Sequence, residues 1–358
     1  MSTERRLFVF GSNGECQLGI PAADIVTTPT QVLEPPPLEN VRSIQGGDNH
    51  TVFLADRKIV YCAGDNRKGQ AFHYIREGEP RLETFMSVYR GAAFIATTCE
   101  SSAFIIHHPM KPLTSVRTQG YGQWGEVGCG EGIERSVGSD KGGVPTIDAL
   151  SGAVIDFAAG VWHYIAVLED GTVYGWGKAR LGQLGEKNNG KVSSPTRLEN
   201  IPFKPVRVTC GKDFTYLVGD PSTGEHVILG QDKFNIISNM PSSITGWKDI
   251  GATWNAIFVL FEDGKLIAWG RNSMWEVIPP NLPLIEKIAV GSEHVLAVTK
   301  DGKLISWGWG KHGNCGDLSK VQDKVKNDTV SGFWNEIDLP GEVEFIAAGY
   351  CTSFVITK

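Results

Sequence analysis

The strings in this chain that look most like chemistry are two literal matches to the phosphate-binding pattern G-x-G-x-x-G: Gly120-Tyr-Gly-Gln-Trp-Gly125 and Gly308-Trp-Gly-Lys-His-Gly313. A dinucleotide site needs a helix after the glycines, so that free amides and the helix dipole face the pyrophosphate. These glycines lead instead into Glu-Val-Gly-Cys-Gly or Asn-Cys-Gly-Asp, which reads as turns. His50, His163 and His294 invite reading as a metal or catalytic set, but each comes after a glycine at the same spacing, Gly-x-x-His. A residue type returning at one position of a repeat points to a core ring bonded to backbone rather than to a ligand. His107-His108 precedes Pro109 and reads as an exposed hairpin turn. No G-x-S-x-G elbow and no H-E-x-x-H occurs. Carboxylate pairs such as Glu169-Asp170 and Glu262-Asp263 sit in turns, so no cofactor, metal site or catalytic residue is expected.

The seven cysteines are scattered and never spaced C-x-x-C, which suits a reduced compartment without structural zinc. The net charge of -6 offers no general attraction to phosphate backbones, so no direct nucleic-acid contact is expected. The longest apolar run, Ala256 to Phe261, is far too short to cross a bilayer, and the first ten residues lack the apolar stretch of a signal peptide. Cytoplasm and nucleus are the expected compartments.

The glycines that defeat the nucleotide reading belong to a repeat. Its unit is a Gly-x-x-(His or bulky) start, an apolar strand, a turn often reading Asp-Gly, and a second strand ending in Gly. The starts are read at Gly47, Gly91, Gly160, Gly211, Gly251, Gly291 and Gly349, and the ends at Gly11, Gly64, Gly120, Gly177, Gly230, Gly270 and Gly308. Successive ends lie 38 to 57 residues apart, which brackets the period of four-stranded propeller blades. His163 to Leu168, Glu169-Asp-Gly171 and Thr172 to Trp176 make a hairpin of β-branched and aromatic residues around a D-G turn.

The expected fold is therefore all-β, a seven-bladed propeller over residues 1–358. It opens on a second strand, Leu7 to Phe10, and finishes on a first strand, Phe345 to Ile356, so that the termini close one blade. Gly128 to Val144 and Leu318 to Asn335 depart from the repeat and read as exposed loops, and the blade around His226 to Gly230 lacks the Trp-Gly and D-G signals.

A hairpin returns its end to the side of its start, so blade starts and blade ends must share one rim. That rim should display Asp48, Asn49, Asp65, Arg67, Trp162, Lys212, Asp213, Trp254, Arg271, Glu293, Trp309, His312 and Tyr350. Trp, Tyr and Arg among carboxylates is the composition of a protein interface, while for each Trp alone packing between blades is an equal reading.

Trp307-Gly308, Gly182-Gln-Leu-Gly185, Gln17-Leu-Gly19 and Gly291-Ser-Glu-His294 resemble the regulator-of-chromosome-condensation propellers, from about Leu7 to Ile356. That family implies seven blades and functions from nucleotide exchange on Ran to scaffolding. Gly64-Asp-Asn-Arg-Lys-Gly69, Gly211-Lys-Asp-Phe214 and Trp307-Gly-Trp-Gly-Lys-His-Gly-Asn-Cys-Gly316 resemble the fungal alpha-tubulin suppressor, or killer-toxin-insensitivity, subfamily. This resemblance implies a non-catalytic subunit paired with the small cysteine-rich, metal-binding diphthamide-synthesis protein. Such a pair acts on elongation factor 2 and, with Elongator components, in transfer-RNA wobble-uridine modification. The alternative is a guanine nucleotide exchange factor for a Ran-like GTPase, for which Asp48 and Glu293 are read as matching start positions.

Overall fold

A computed structural model describes residues 4–71, 80–108, 113–136 and 146–358. Seven antiparallel sheets stand in a ring, and successive innermost strands touch all the way round. Blade 1 runs outward through Ser43–Gly46, His50–Leu54, Ile59–Asp65 and Arg81–Arg90. Blade 2 has Phe94–Thr97, Ser101–His107 and Thr114–Tyr121, with Arg135–Ser136 and Thr146–Leu150 along its outer edge. Blade 3 has Val154–Ala159, His163–Leu168, Val173–Lys178 and Lys191–Arg197. Blades 4 and 5 stop at three strands: Arg207–Cys210, Phe214–Val218 and His226–Gly230, then Trp247–Ala252, Ala256–Phe261 and Leu266–Gly270. Blade 6 has Ile285–Val290, His294–Thr299, Leu304–Trp309 and Thr329–Ile337. Blade 7 joins the chain's two ends: Val343–Ala348 and Thr352–Thr357 lie inside Arg6–Asn13 and Ala23–Gln31. No helix among the described residues is long and apolar enough to cross a membrane.

The second strands read as unbroken apolar runs because both of their faces are covered. Every residue of His163–Leu168, His294–Thr299 and Thr352–Thr357 is buried. Alternate side chains enter alternate interfaces, and seven apolar clusters result, one between each pair of neighbouring blades. The first strand feeds two of them. Leu7 and Val9 pack with Phe53 of blade 1, while Phe10 packs with Leu296 of blade 6.

The tryptophans of the Trp-Gly ends tie each blade to the one before it. Trp176 Nε1 donates to the Glu126 carbonyl at 2.9 Å, Trp269 Nε1 to that of Ile236 at 2.8 Å, and Trp307 Nε1 to that of Val277 at 3.0 Å. The glycine after each of them is required by geometry. At Gly308 φ is +109°, and an added Cβ would lie 2.6 Å from the Glu293 carbonyl oxygen. Gly308→Ala should cost roughly 3 kcal/mol or more in a denaturant melt, since strain and clash add. Gly302→Ala shares the positive φ, +87°, but meets nothing within 4 Å, and should cost only about 1–2 kcal/mol.

Four expectations change. In blades 2 and 5 the start is not Gly91–Phe94 or Gly251–Trp254. The turns there are Thr98-Cys99-Glu100-Ser101 and Thr253-Trp254-Asn255-Ala256. A threonine replaces the glycine, and its hydroxyl accepts the amide three residues on, Ser101 at 3.1 Å and Ala256 at 3.0 Å. Phe345 to Ile356 is two strands joined by the turn at Gly349 to Cys351. Leu318 to Asn335 is a loop only in its first half, holding the short 3-10 turn Ser319–Val321. Its remainder enters the outer strand Thr329–Ile337 and pairs with Leu304–Trp309. Of Gly128 to Val144, residues 137–144 lie outside the described residues, as does Pro109.

Candidate protein-docking rim

Each innermost strand ends in a four-residue turn that carries the chain into the second strand. The second residues of these turns are Asp48, Cys99, Val161, Lys212, Trp254, Ser292 and Tyr350, of which Val161, Trp254, Ser292 and Tyr350 line the mouth of the central channel. Their backbones are linked sideways. Asp48 N–H donates to the Cys99 carbonyl, Cys99 to Val161, Lys212 to Trp254 and Trp254 to Ser292, at 2.8–3.1 Å. The third residues are Asn49, Glu100, Trp162, Asp213, Asn255, Glu293 and Cys351. Carbonyls in this set accept the amide of the residue after a blade-end glycine: Asp65 at 2.8 Å, Lys178 at 2.8 Å, Arg271 at 2.9 Å and Trp309 at 2.7 Å. All thirteen residues predicted for the rim lie on this face. Asp48 and Glu293 do not match, however: one is a second residue and the other a third.

The channel encloses about 380 Å³. Asp156, Arg207 and Asp249 line its far end, where Arg207 bridges both carboxylates at 3.2 and 3.1 Å. At the rim, Trp254 and Tyr350 meet edge to face with centroids 5.6 Å apart. Burial, then the nearby Cys99 and Asp48, pushes the Tyr350 phenol well up, so its hydroxyl stays protonated.

The rim divides by charge. On blades 7, 1 and 2 stand Glu15, Asp48, Asp65 and Glu100, against Arg67 and Lys68. Arg67 bridges Asp65 at 2.8 Å and Glu15 at 2.6 Å, and Lys68 pairs with Glu100. Desolvation, then Glu100 and Asp65, raises the pKa of Asp48, whose Oδ2 accepts the Asn49 amide at 3.0 Å. Facing these, on blades 4 to 6, a cavity of about 310 Å³ is lined by Lys212, Lys233, Phe234, Trp254, Arg271 and Trp309, among others. Between the two sectors Lys178 pairs with Asp213 at 2.8 Å, and Trp162 is half-buried. Trp309 meets His312 edge to face at 5.0 Å.

The three histidines of the starts are structural. His50 Nε2 lies 2.9 Å from Ser102 Oγ, and that hydroxyl donates to the Gln70 carbonyl at 2.7 Å. His163, Thr215 and Gln183 repeat this at 3.0 and 2.8 Å, as do His294, Ser353 and Asn314. A hydroxyl has one proton, already given to the carbonyl, so it accepts from the ring and Nε2 carries the hydrogen. Burial lowers these imidazoles to about 4, about 4 and about 3 respectively. Gln17, Gln70 and Gln183 each accept the amide two residues back, and Glu126 takes that place in blade 2, receiving the Trp124 amide at 2.8 Å. Its carboxyl is fully buried, Oε1 has no partner, and desolvation pushes it up to about 7. Among the described residues no group of three or more His, Cys, Asp or Glu could hold a metal ion.

Sequence reasoning missed Cys99, Glu100, Asn255, Ser292 and Cys351, which share turns with the residues it found or sit in turns it misplaced. It also missed Lys233 and Phe234, which lie beyond the blade without repeat signals. The usable signal for Cys99 and Glu100 was a four-residue break between two apolar runs, without its glycine.

Among solved structures, human WBSCR16 has a similar fold, with a TM-score of 0.78 at 19% identity over 99% of this chain and all of that one. Prp20p from Saccharomyces cerevisiae, described with its binding properties to Gsp1p and histones, gives 0.77 at 19% over 99% and 92%. By sequence, the secretion-regulating guanine nucleotide exchange factor of Mus musculus is 26% identical over 87% of this chain and 75% of its own length. The RCC1 repeat-containing protein C10F6.04 of Schizosaccharomyces pombe is 30% identical over 98% of this chain and 99% of its own length. The signature described as "Regulator of chromosome condensation (RCC1) repeat" matches residues 6–54 and 170–218, and in a second form residues 41–70, 154–183 and 285–314. With repeats of that signature and a full-length relative at this identity, the chain belongs to the RCC1 repeat family.

Proposed function

We propose that this propeller is a non-catalytic docking subunit whose turn face holds a small cysteine-rich, iron- or zinc-binding protein of diphthamide synthesis. Through that pair it supports modification of elongation factor 2 and Elongator-dependent modification of transfer-RNA wobble uridines, in cytoplasm and nucleus. The observation carrying the docking role is the rim itself. Half-buried Trp254, Trp309 and Tyr350 stand beside Lys212 and Arg271 at the mouth of a ring, the composition of an interface with aromatic anchors. The side chains that could do chemistry are spent elsewhere, since the repeat histidines are neutral and bonded into blade contacts. The choice of partner rests on the resemblance of Trp307 to Gly316 to the alpha-tubulin suppressor subfamily.

Affinity capture from extract with the tagged protein should return a small cysteine-rich metal protein in near-equal amount. Its absence from a folded bait overturns the partner assignment. Trp309→Ala with His312→Ala should weaken that capture by about 2–4 kcal/mol without lowering the melting temperature.

The second reading, an exchange factor for a Ran-like GTPase, is favoured by the 26% identity to the mouse exchange factor over most of both chains. Acceleration of nucleotide release from Ran by the purified propeller would put this reading first.

A further inference from the structure

The cavity on blades 4 to 6 is lined by three cationic side chains against a single carboxylate, so positive charge prevails in it. Lys212, Lys233 and Arg271 line it, and among the described residues none of them makes an ion pair. Each cation lies over a ring instead: Lys212 is 5.6 Å from the Trp254 centroid, and Lys233 and Arg271 are both 5.3 Å from that of Phe234. One carboxylate, Glu293, stands in the lining within the field of Arg271 and Lys212, and both of its oxygens are taken by neutral donors. It accepts from Asn255 Nδ2 at 3.2 Å and Trp275 Nε1 at 3.3 Å.

Two further polar atoms in the lining are buried without a partner, Arg271 Nε and Trp254 Nε1, and both can only donate. A buried donor left without an acceptor is costly, so the site asks for an acceptor, and the cations ask that it be anionic. Phe234 adds the apolar half of the requirement. Its ring is 37% exposed on a backbone held in the left-handed region at φ +58°, an arrangement that costs energy without packing a core. The volume, near the low end for ligand sites, suits one or two side chains rather than a folded domain.

We propose that this cavity receives an acidic linear segment of the docked protein, placing a carboxylate among Lys212, Lys233 and Arg271 and an adjacent apolar or aromatic side chain against Phe234 and Trp254. The proposal rests on the docking role above and gives it a direction. The acidic sector around Asp48 and Asp65 lies across the ring, so a partner bearing a basic patch at the matching distance docks in one orientation.

The test is fluorescence anisotropy of the intact chain with three short labelled peptides: acidic with a central Phe, the same acidic peptide with Phe replaced by Gly, and a Lys-rich peptide with Phe. The acidic Phe peptide should bind tightest, weaken as salt rises, and lose at least ten-fold in affinity with Lys233→Glu, whose side chain is exposed, and with Arg271→Glu. Arg271→Lys should retain most of the binding. Equal binding of the Lys-rich peptide, or unchanged affinity in charge-reversed variants that melt like the parent, overturns the proposal. Capture of the cysteine-rich partner by a wild-type chain that binds neither acidic peptide overturns the cavity assignment alone. Peptide binding without that partner in extract supports the cavity and removes the partner assignment.

Discussion

A chain that begins after Asn13 is expected to lose cooperative unfolding and to precipitate. The strand Arg6–Asn13 is the third of blade 7, paired with Thr352–Thr357 from Arg6 opposite Thr357 to Gly11 opposite Thr352, and with Ala23–Gln31 on its other side. Its removal strips Leu7 and Val9 from one blade interface and Phe10 from another, and the buried Phe8 goes with them. At about 1.5–3 kcal/mol for each large apolar side chain, the loss is roughly 6–12 kcal/mol, comparable with the whole stability of an ordinary domain. It also leaves Thr352–Thr357 with an unpaired edge, a template for pairing between chains. Circular dichroism melts and sedimentation check it; a soluble monomer with an unchanged melting curve would mean that the ring closes without its terminal strand.

Acid should weaken the protein before its surface carboxylates are titrated. His50, His163 and His294 are neutral in the folded protein down to about pH 4 or 3, whereas the unfolded chain protonates them near 6.5. Unfolding therefore takes up protons between these limits, and stability falls as pH falls through that window. At about 1.4 kcal/mol per pH unit per group, the three together remove roughly 4 kcal/mol between pH 7.5 and 5.5. Glu126 works the other way. Its folded value of about 7 lies above the unfolded one, so its contribution is present at low pH and lost as pH rises through 7. Glu126→Gln restores the side chain that three other blades carry and should raise stability at pH 7.5 by roughly 2–3 kcal/mol. It should also make the acid loss steeper. Denaturant melts of parent and variant at the two pH values decide it; parallel curves would sink the assignment of a protonated Glu126.

Much of this fold could be read from a few residues because a repeat states its constraint several times. The blade-end glycines announce a backbone that only glycine adopts against a facing carbonyl, and the Gly-x-x-His starts announce a ring tucked against its own glycine, as at Gly47, where an added Cβ would lie 2.2 Å from the His50 ring. Where another chemistry solves the same problem the pattern goes silent. Thr98 and Thr253 close their turns through side-chain oxygens, and both starts were placed in the wrong register for that reason. The face carrying the rim was legible, since it is dictated by hairpin geometry. Its division into an acidic and a cationic sector was not, because that depends on which blades end up opposite one another. Nor was Phe234, which stands in an irregular segment between His226–Gly230 and Trp247–Ala252 that carries neither a Trp-Gly nor an Asp-Gly signal.

The lateral amide-to-carbonyl links around the channel mouth bear on how such a rim can change. Backbone atoms make them, so the ring of turns keeps its shape whatever side chain stands at the second position. Those seven positions hold Asp, Cys, Val, Lys, Trp, Ser and Tyr, seven different chemistries on one scaffold. Selection can thus rewrite the mouth one residue at a time with little penalty to folding, and two proteins of identical architecture can present unrelated addresses to their partners.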